Sequence, residues 1–141
     1  MPVEPPVLDS SAISRLVLQE EGWEAVDEIV GRAEDHDLVP RSLEFAKLET
    51  ANSIWKQLTL LKRIDLAKAM LFVESLECHP FDYVKADEVI LKEAVRIGQK
   101  HRLTVYDAAF IALAARDGSR LVTIDGEQAA IAKKYVSTVL V

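Results

Sequence analysis

The fold is decided by the stretch from Thr104 to Ala115, which reads TVYDAAFIALAA. From Ala108 onward it carries no polar or charged side chain, and a helix that is apolar on every side is normally buried on every side. Asp107 lies just before this run, close to where the first helical turn begins. Its carboxylate either compensates the helix dipole or faces a cleft, where it needs a partner. This stretch alone leaves both interpretations open.

Size and composition predict one domain that covers residues 1–141. Half of the 141 residues are hydrophobic and 28% are charged, and a chain of this length buries about two-thirds of its unfolded surface. No apolar run approaches the roughly 20 residues that span a bilayer, and the opening residues 1–6 do not resemble a signal peptide. The single cysteine, Cys78, excludes an internal disulfide and fits a reducing environment. We therefore expect a cytoplasmic protein with no membrane association.

Charge and histidine content narrow the function classes. The net charge of −6 argues mildly against unassisted nucleic-acid binding, which usually needs a basic face. Acids concentrated at one cation site would make the net charge more negative without making the rest of the surface acidic, so nucleic-acid binding is not excluded. His36, His79 and His101 are scattered, and with one cysteine they offer no zinc-site spacing.

Short apolar segments alternate with amphipathic ones along the whole chain. This pattern predicts strands at 3–8, 37–40, 79–84, 121–124 and 137–141. It predicts helices at 12–20, 23–34, 42–62, 66–76, 86–101, 106–116 and 127–135, with the helix at 86–101 closed near Gly98. Such alternation favours an α/β fold, a three-layer sandwich with a central, mostly parallel sheet flanked by helices.

The predicted helix at 42–62 has two distinct stripes. Pro40 closes the preceding strand, Ser42 is the expected N-cap, and Asp65 caps the next helix. A second stripe contains Glu49 and Asn52, and a helical wheel does not separate Glu49 from an ordinary solvated acid. The apolar face is formed by Leu43, Leu48, Ala51, Ile54, Trp55, Leu58 and Leu61.

Two apolar strands finish in an aspartate, Asp9 and Asp125. In a parallel sheet the carboxyl ends of all strands lie along one edge, where ligands bind, so these two side chains are expected at one crevice. Asp107 joins them if its helix follows a connection across the sheet. Taken singly, Asp9 is equally explained as a helix cap and Asp125, before Gly126, as part of a turn.

Clustered carboxylates need compensation. Two like charges about 4 Å apart cost roughly 4 kcal/mol at an effective dielectric near 20. No basic residue immediately flanks Asp9, Asp107 or Asp125, and oxygen-only ligands favour Mg²⁺ or Mn²⁺ over zinc. Thr123 and Ser10 either hydrogen-bond a ligand carboxylate or make local caps.

Four motifs carry a resemblance to a known family. They are VLDSS at 7–11, LETAN at 48–52, YDAA at 106–109 followed by ALA at 112–114, and TID at 123–125. In this order, over nearly the whole chain, they make the sequence similar to PIN-domain ribonucleases, and in layout to the VapC toxins of VapBC toxin–antitoxin pairs.

The resemblance implies an acidic pocket that holds Mg²⁺ or Mn²⁺ and hydrolyses RNA, leaving a 5′-phosphate and a 3′-hydroxyl. Carried over by position, the catalytic and metal-binding set is Asp9, Glu49, Asp107 and Asp125, with Ser10, Asn52 and Thr123 in support. Glu127 competes for the fourth acid position, although a strand end favours Asp125. The resemblance also implies a cognate antitoxin protein and a homodimer.

Alternative functions and contacts stay open at this point. A phospho-acceptor receiver domain wants an acidic pair after its first strand and a lysine ending a late one, where this chain has Ser10-Ser11 and Asp125. A PIN-like scaffold that binds RNA or a partner without cutting is the other alternative. Basic residues that either contact RNA backbone or are simply solvated are Lys47, Lys56, Lys62, Arg63 and Lys68; Trp23 and Trp55 are either partner contacts or core residues.

Overall fold

A five-stranded parallel sheet forms the centre of the structure, a computed structural model that describes residues 4–141. The strand order is β3-β2-β1-β4-β5, and every neighbouring pair is parallel. The α/β fold and its parallel sheet are therefore confirmed. The strands are β1 (Val7–Leu8), β2 (Arg41–Leu43), β3 (Asp82–Val84), β4 (Leu121–Thr123) and β5 (Thr138–Leu140).

Seven α-helices connect and cover the strands in the described part of the chain. Among residues 4–141, no helix is long and apolar enough to cross a membrane. The helices are α1 (Ser10–Leu18), α2 (Trp23–Asp35), α3 (Phe45–Trp55) with a π-helical extension over Lys56–Leu60, α4 (Leu66–Cys78), α5 (Glu88–His101), α6 (Val105–Asp117) and α7 (Gly126–Ala132).

Helix α6 is the buried helix that its composition predicts. Every residue from Ala108 to Ala114 is buried, and the helix packs on β1, β2 and β4. Thr104 caps its start, and Gly118 ends it with a left-handed φ of 66°. Because α6 packs against the middle of the sheet, its first turn is fixed next to the strand ends.

The prediction for residues 37–43 was wrong. Pro40 does not close a strand but precedes β2, whose first residue, Arg41, donates its backbone N–H to Pro6 O at 2.9 Å. A proline lacks the donor that a ladder needs and is tolerated at a strand entrance. Ser42 is not a helix cap. It is buried in β2, where its Oγ donates to Leu8 O at 2.7 Å.

The predicted apolar face of α3 was also wrong. Leu48, Trp55 and Leu61 are 75%, 46% and 50% exposed. Of the face predicted within α3, Ile54 is buried as expected, and the other buried residues of the helix are Ala46 and Thr50. The reason is that α3 packs closely on α1 through small and polar residues, where Ser14 Oγ donates to Thr50 Oγ1 at 3.2 Å.

Other boundaries differ by a few residues. Strand β1 begins at Val7 instead of residue 3, and Val3 lies outside the described residues. Helix α5 does reach His101, but it does not close at Gly98, because Arg102 forms its left-handed end with a φ of 55°. Asp65 caps α4 as predicted, through Lys68 N at 2.8 Å.

Candidate functional site

The carboxyl ends of β1 and β4 open into a cavity of about 730 Å³. These strands are neighbours, with Leu8 opposite Val122, so the residues that follow them meet at one point of the sheet edge. The four acids proposed from the sequence, which lie on separate elements, all line this cavity: Asp9, Glu49, Asp107 and Asp125.

Asp9 follows β1 and is the most buried acid of the cavity, with 2% of its surface exposed. Its Oδ1 accepts from Ala12 N at 2.9 Å, which caps α1, and from Ser11 Oγ at 2.6 Å. Thr123 Oγ1 donates to the other oxygen. Burial raises the pKa of Asp9 from 3.8 to about 6, which these hydrogen bonds oppose and the charge of Asp107 reinforces.

Asp107 lies half-buried in the first turn of α6. Its backbone N–H donates to Thr104 Oγ1 at 3.3 Å, so Thr104 is the helix cap, and the Thr104 hydroxyl also hydrogen-bonds the Asp107 carboxylate. Its pKa is raised, first by burial and then by the charges of Asp125 and Glu49. The cavity therefore holds acids that repel one another.

Asp125 is exposed at the end of β4 and lines the cavity. It caps α7 by accepting from Glu127 N at 2.9 Å and Gln128 N at 3.2 Å, while its own N–H donates to Thr123 Oγ1 at 3.0 Å. Glu127 is exposed and is not among the residues that line the cavity. Because Glu127 does not line the cavity, Asp125 is the better candidate for the fourth acid.

Glu49 reaches the cavity from α3. Ser10 Oγ donates to its Oε1 at 2.7 Å, so Ser10 does hydrogen-bond one of the four acids, but it is Glu49 and not the adjacent Asp9. Asn52, one turn further along α3, is exposed and also lines the cavity.

The sequence reasoning missed a fifth acid of the lining, Glu20, and two residues that hydrogen-bond the proposed acids. Ser11 donates to Asp9 and accepts from Ile124 N at 3.2 Å, which joins the start of α1 to the end of β4. The Ser10-Ser11 pair offered a signal, because either hydroxyl can fold back on an aspartate that precedes it. Gln128 is 1% exposed and donates from Nε2 to Asp107 O at 3.1 Å. Nothing in the sequence marked it, since its burial arises from tertiary packing.

The donor chemistry of the cavity fits a hydrated divalent cation. The ion pairs of the described residues include none of the four acids, and Lys56 is the one basic residue in the described lining. Within residues 4–141, no three His, Cys, Asp or Glu side chains are already grouped to hold one ion. Magnesium keeps several water ligands and needs only one or two carboxylates, so the acids and their unbalanced charge suit it.

Comparisons with known proteins show which family and fold the chain shares. The PIN domain family model matches residues 7–134. Ribonuclease VapC3 from Pyrobaculum aerophilum is 35% identical over 139 residues, which cover 94% of this chain and 96% of that protein. The crystal structure of PAE2754, also from Pyrobaculum aerophilum, is similar with a TM-score of 0.71 and 25% identity, over 95% of this chain and 83% of that one.

Proposed function

The chain belongs to the PIN-domain family and is of the VapC type, and we propose that it is a divalent-metal-dependent endoribonuclease, the toxin of a type II toxin–antitoxin system. The observation that carries the proposal is the convergence of four acids from separate elements on one cavity. Ribonuclease VapC3 matches over nearly the full length of both chains, which supports it further. We propose one domain over residues 1–141 and a cytoplasmic location.

The residues that would hold Mg²⁺ or Mn²⁺ are Asp9, Glu49, Asp107 and Asp125. When bound, such an ion supplies a nucleophilic hydroxide and offsets charge on the phosphodiester. The chain itself orients the donors: Ser11 and Thr123 hold both oxygens of Asp9, and Ser10 holds one oxygen of Glu49.

The RNA substrate needs a contact that offsets the acidity of the cavity. Lys56 lines the cavity and is exposed, so its ammonium is placed to contact a backbone phosphate. Lys47 is a weaker candidate, because its Nζ pairs with Glu77 at 3.2 Å and lies 4.6 Å from the centre of the Tyr83 ring. We propose cleavage that leaves a 5′-phosphate and a 3′-hydroxyl.

Cleavage of single-stranded RNA by the purified protein tests this function. We expect cleavage with Mg²⁺ or Mn²⁺ and none after chelation. In Asp107→Asn the rate should fall at least about 100-fold, because a bound metal contributes several kcal/mol to such a reaction.

Two further variants locate the fourth acid. Asp125→Asn keeps an N-cap side chain and should lose cleavage, whereas Glu127→Gln, two residues away and outside the cavity lining, should cleave like the parent. Full activity of Asp107→Asn would contradict the proposed site. RNA binding without cleavage by the parent, with either metal, would favour the silent-scaffold alternative.

We also propose a cognate antitoxin and a homodimer. An exposed apolar surface that includes the end of α3, the segment after it and α4 is available to a protein partner. Light scattering of the purified chain tests the homodimer, and a short basic protein encoded directly upstream would support the antitoxin. The exposed apolar residues of this surface are Trp55, Leu60, Leu61, Leu66, Met70 and Leu71.

A further inference from the structure

Gln128 connects the segments that carry three of the four acids. We propose that it is a positioning residue, whose side-chain amide fixes the start of α6 relative to the end of β4 and thereby sets the affinity of the cavity for a divalent cation. The inference rests on the proposed function, because it concerns the same cavity. It assigns a role to a residue that contacts the acids without being one of them.

Gln128 contacts the segments of Asp107 and Asp125 directly and that of Asp9 through Thr123. Its Nε2 donates to the backbone carbonyl of Asp107 at 3.1 Å, and its backbone N–H donates to Asp125 Oδ1 at 3.2 Å. Its Oε1 lies 3.3 Å from Thr123 Oγ1, the hydroxyl that donates to Asp9. The opposite amide orientation would set Oε1 against the Asp107 carbonyl, two acceptors facing each other. The observed orientation is therefore the one in which the amide donates to the carbonyl.

The amide is not needed merely to fill the core. Gln128 is 1% exposed beside buried Ala129, a site where a methionine of similar volume would pack without polar atoms to satisfy. A buried amide without a partner costs about 1–3 kcal/mol, and here the partner comes from another helix. What the amide adds over an apolar side chain is a directional bond between α7 and the first turn of α6.

Asp107 depends on that bond more than the other acids do. Its helix cap, Thr104, acts on the backbone N–H of Asp107, and Gln128 adds a second donor, from another helix, to a carbonyl that also accepts within α6. Ligand side chains must be held within about 0.5 Å of a productive position. Loss of a residue that orients a ligand typically lowers metal affinity by about 10–100-fold.

Titration with Mn²⁺ alone, without RNA, tests the inference by calorimetry. We expect Gln128→Met to raise the dissociation constant for Mn²⁺ at least about tenfold. Gln128→Asn keeps a polar amide but is one methylene shorter and no longer reaches Asp107 O, so it should also weaken binding. It serves as the second variant if the methionine variant does not fold.

Ile131→Ala is the matched control. Ile131 lies on the same helix and packs on the core, so its truncation lowers the melting temperature without touching the cavity. We expect its Mn²⁺ dissociation constant to stay within twofold of the parent. Parent-like Mn²⁺ binding by both Gln128 variants would overturn the inference and leave the proposed function standing. A parent that binds no Mn²⁺ would contradict both.

Discussion

Asp9 is both the N-cap of α1 and the most deeply buried acid of the cavity. The capping bond to Ala12 N explains why the chain tolerates a carboxylate there at all, and the hydroxyls of Ser11 and Thr123 satisfy its oxygens further. Burial nevertheless outweighs these bonds, because the pKa stays raised. The same side chain therefore caps α1 and faces the cavity. The two interpretations of Asp9 from the sequence, a helix cap or a candidate metal ligand, do not exclude each other.

The raised pKa of Asp9 predicts a pH dependence of stability in metal-free protein. The folded state binds this proton with a pKa of about 6 and the unfolded state with one near 3.8. Protonated Asp9 therefore adds to the free energy of unfolding in full below about pH 4, and this stabilisation is lost as the pH rises through 6. It amounts to at most roughly 3 kcal/mol. Urea unfolding in chelator from pH 4 to 7 should show Asp9→Asn losing this part of the slope.

Asp65→Asn is the control for that experiment, because Asp65 caps α4 at an exposed position through the same kind of bond. It should keep the parent's slope between pH 4 and 6. An unchanged slope in Asp9→Asn would show that its carboxyl does not titrate in this range.

Asp107 should contribute nothing to the stability of metal-free protein. Burial and the charges of Asp125 and Glu49 raise its pKa, so ionising this carboxyl costs more free energy in the folded than in the unfolded chain. Asp107→Asn should therefore melt no lower than the parent in chelator. Thr104→Ala removes the actual cap and should lose about 1 kcal/mol. A large drop in Asp107→Asn would mean that the residue is structural.

At residue scale, the sequence pointed to four acids that line the cavity, but not to Glu20 or to the residues that hydrogen-bond those acids. Asp9 and Asp125 follow recognisable strands, so their common edge follows from the parallel sheet. Glu49 rested on the family resemblance, because a helical wheel gave it no distinguishing position. Gln128 carries no pattern of its own, since only the packing of α7 makes it buried.

Among the elements, α6 was predictable and the β2–α3 region was not. The uniform apolar run of α6 has one outcome, burial, whatever surrounds it. In β2 and α3 the periodic leucines suggested a buried stripe, yet Leu48 is exposed and Thr50 is buried. Close contact between α1 and α3 selects small side chains, and that contact is invisible in the local pattern.

At Gly98, helix propensity and packing are expected to change the free energy of unfolding in opposite directions when glycine is replaced by alanine. Alanine stabilises a helix interior by about 1 kcal/mol relative to glycine. At Gly98 an added Cβ would lie 2.7 Å from the Leu103 backbone oxygen, which folds back on α5. We therefore expect Gly98→Ala to be destabilising, by roughly 1–3 kcal/mol, as an overpacked site.

Gly31→Ala supplies the matched comparison in urea unfolding. Gly31 lies inside α2, and an added Cβ would meet nothing within 4 Å, so the same change should stabilise by roughly 0.5–1 kcal/mol. Stabilisation by both substitutions would mean that Leu103 moves away at little cost.

At the scale of the whole molecule, strand order brings the site together. The order β3-β2-β1-β4-β5 places the first and fourth strands side by side, which joins residues from opposite ends of the chain. The alternation of elements predicted a parallel sheet, but it did not specify which strands are neighbours. The site is therefore present only when β1 and β4 are paired, with α3 and α6 packed beside them.

Cation binding should consequently be linked to global unfolding. A ligand that binds only the folded state stabilises it by about 2.7 kcal/mol at 100 times its dissociation constant, which corresponds to roughly 5–10 °C in this size range. We expect Mn²⁺ to raise the melting temperature by that order and a chelator to reverse the rise. Glu127→Gln should show the full rise in melting temperature and Asp107→Asn little of it, because of these two residues Asp107 lines the cavity and Glu127 does not.

Sodium chloride at matched ionic strength is the control for this experiment. With a net charge of −6, salt also stabilises the fold by unspecific screening, so sodium chloride must not reproduce the rise. An equal rise with either salt would mean that the acids are a repulsive patch and not a cation site.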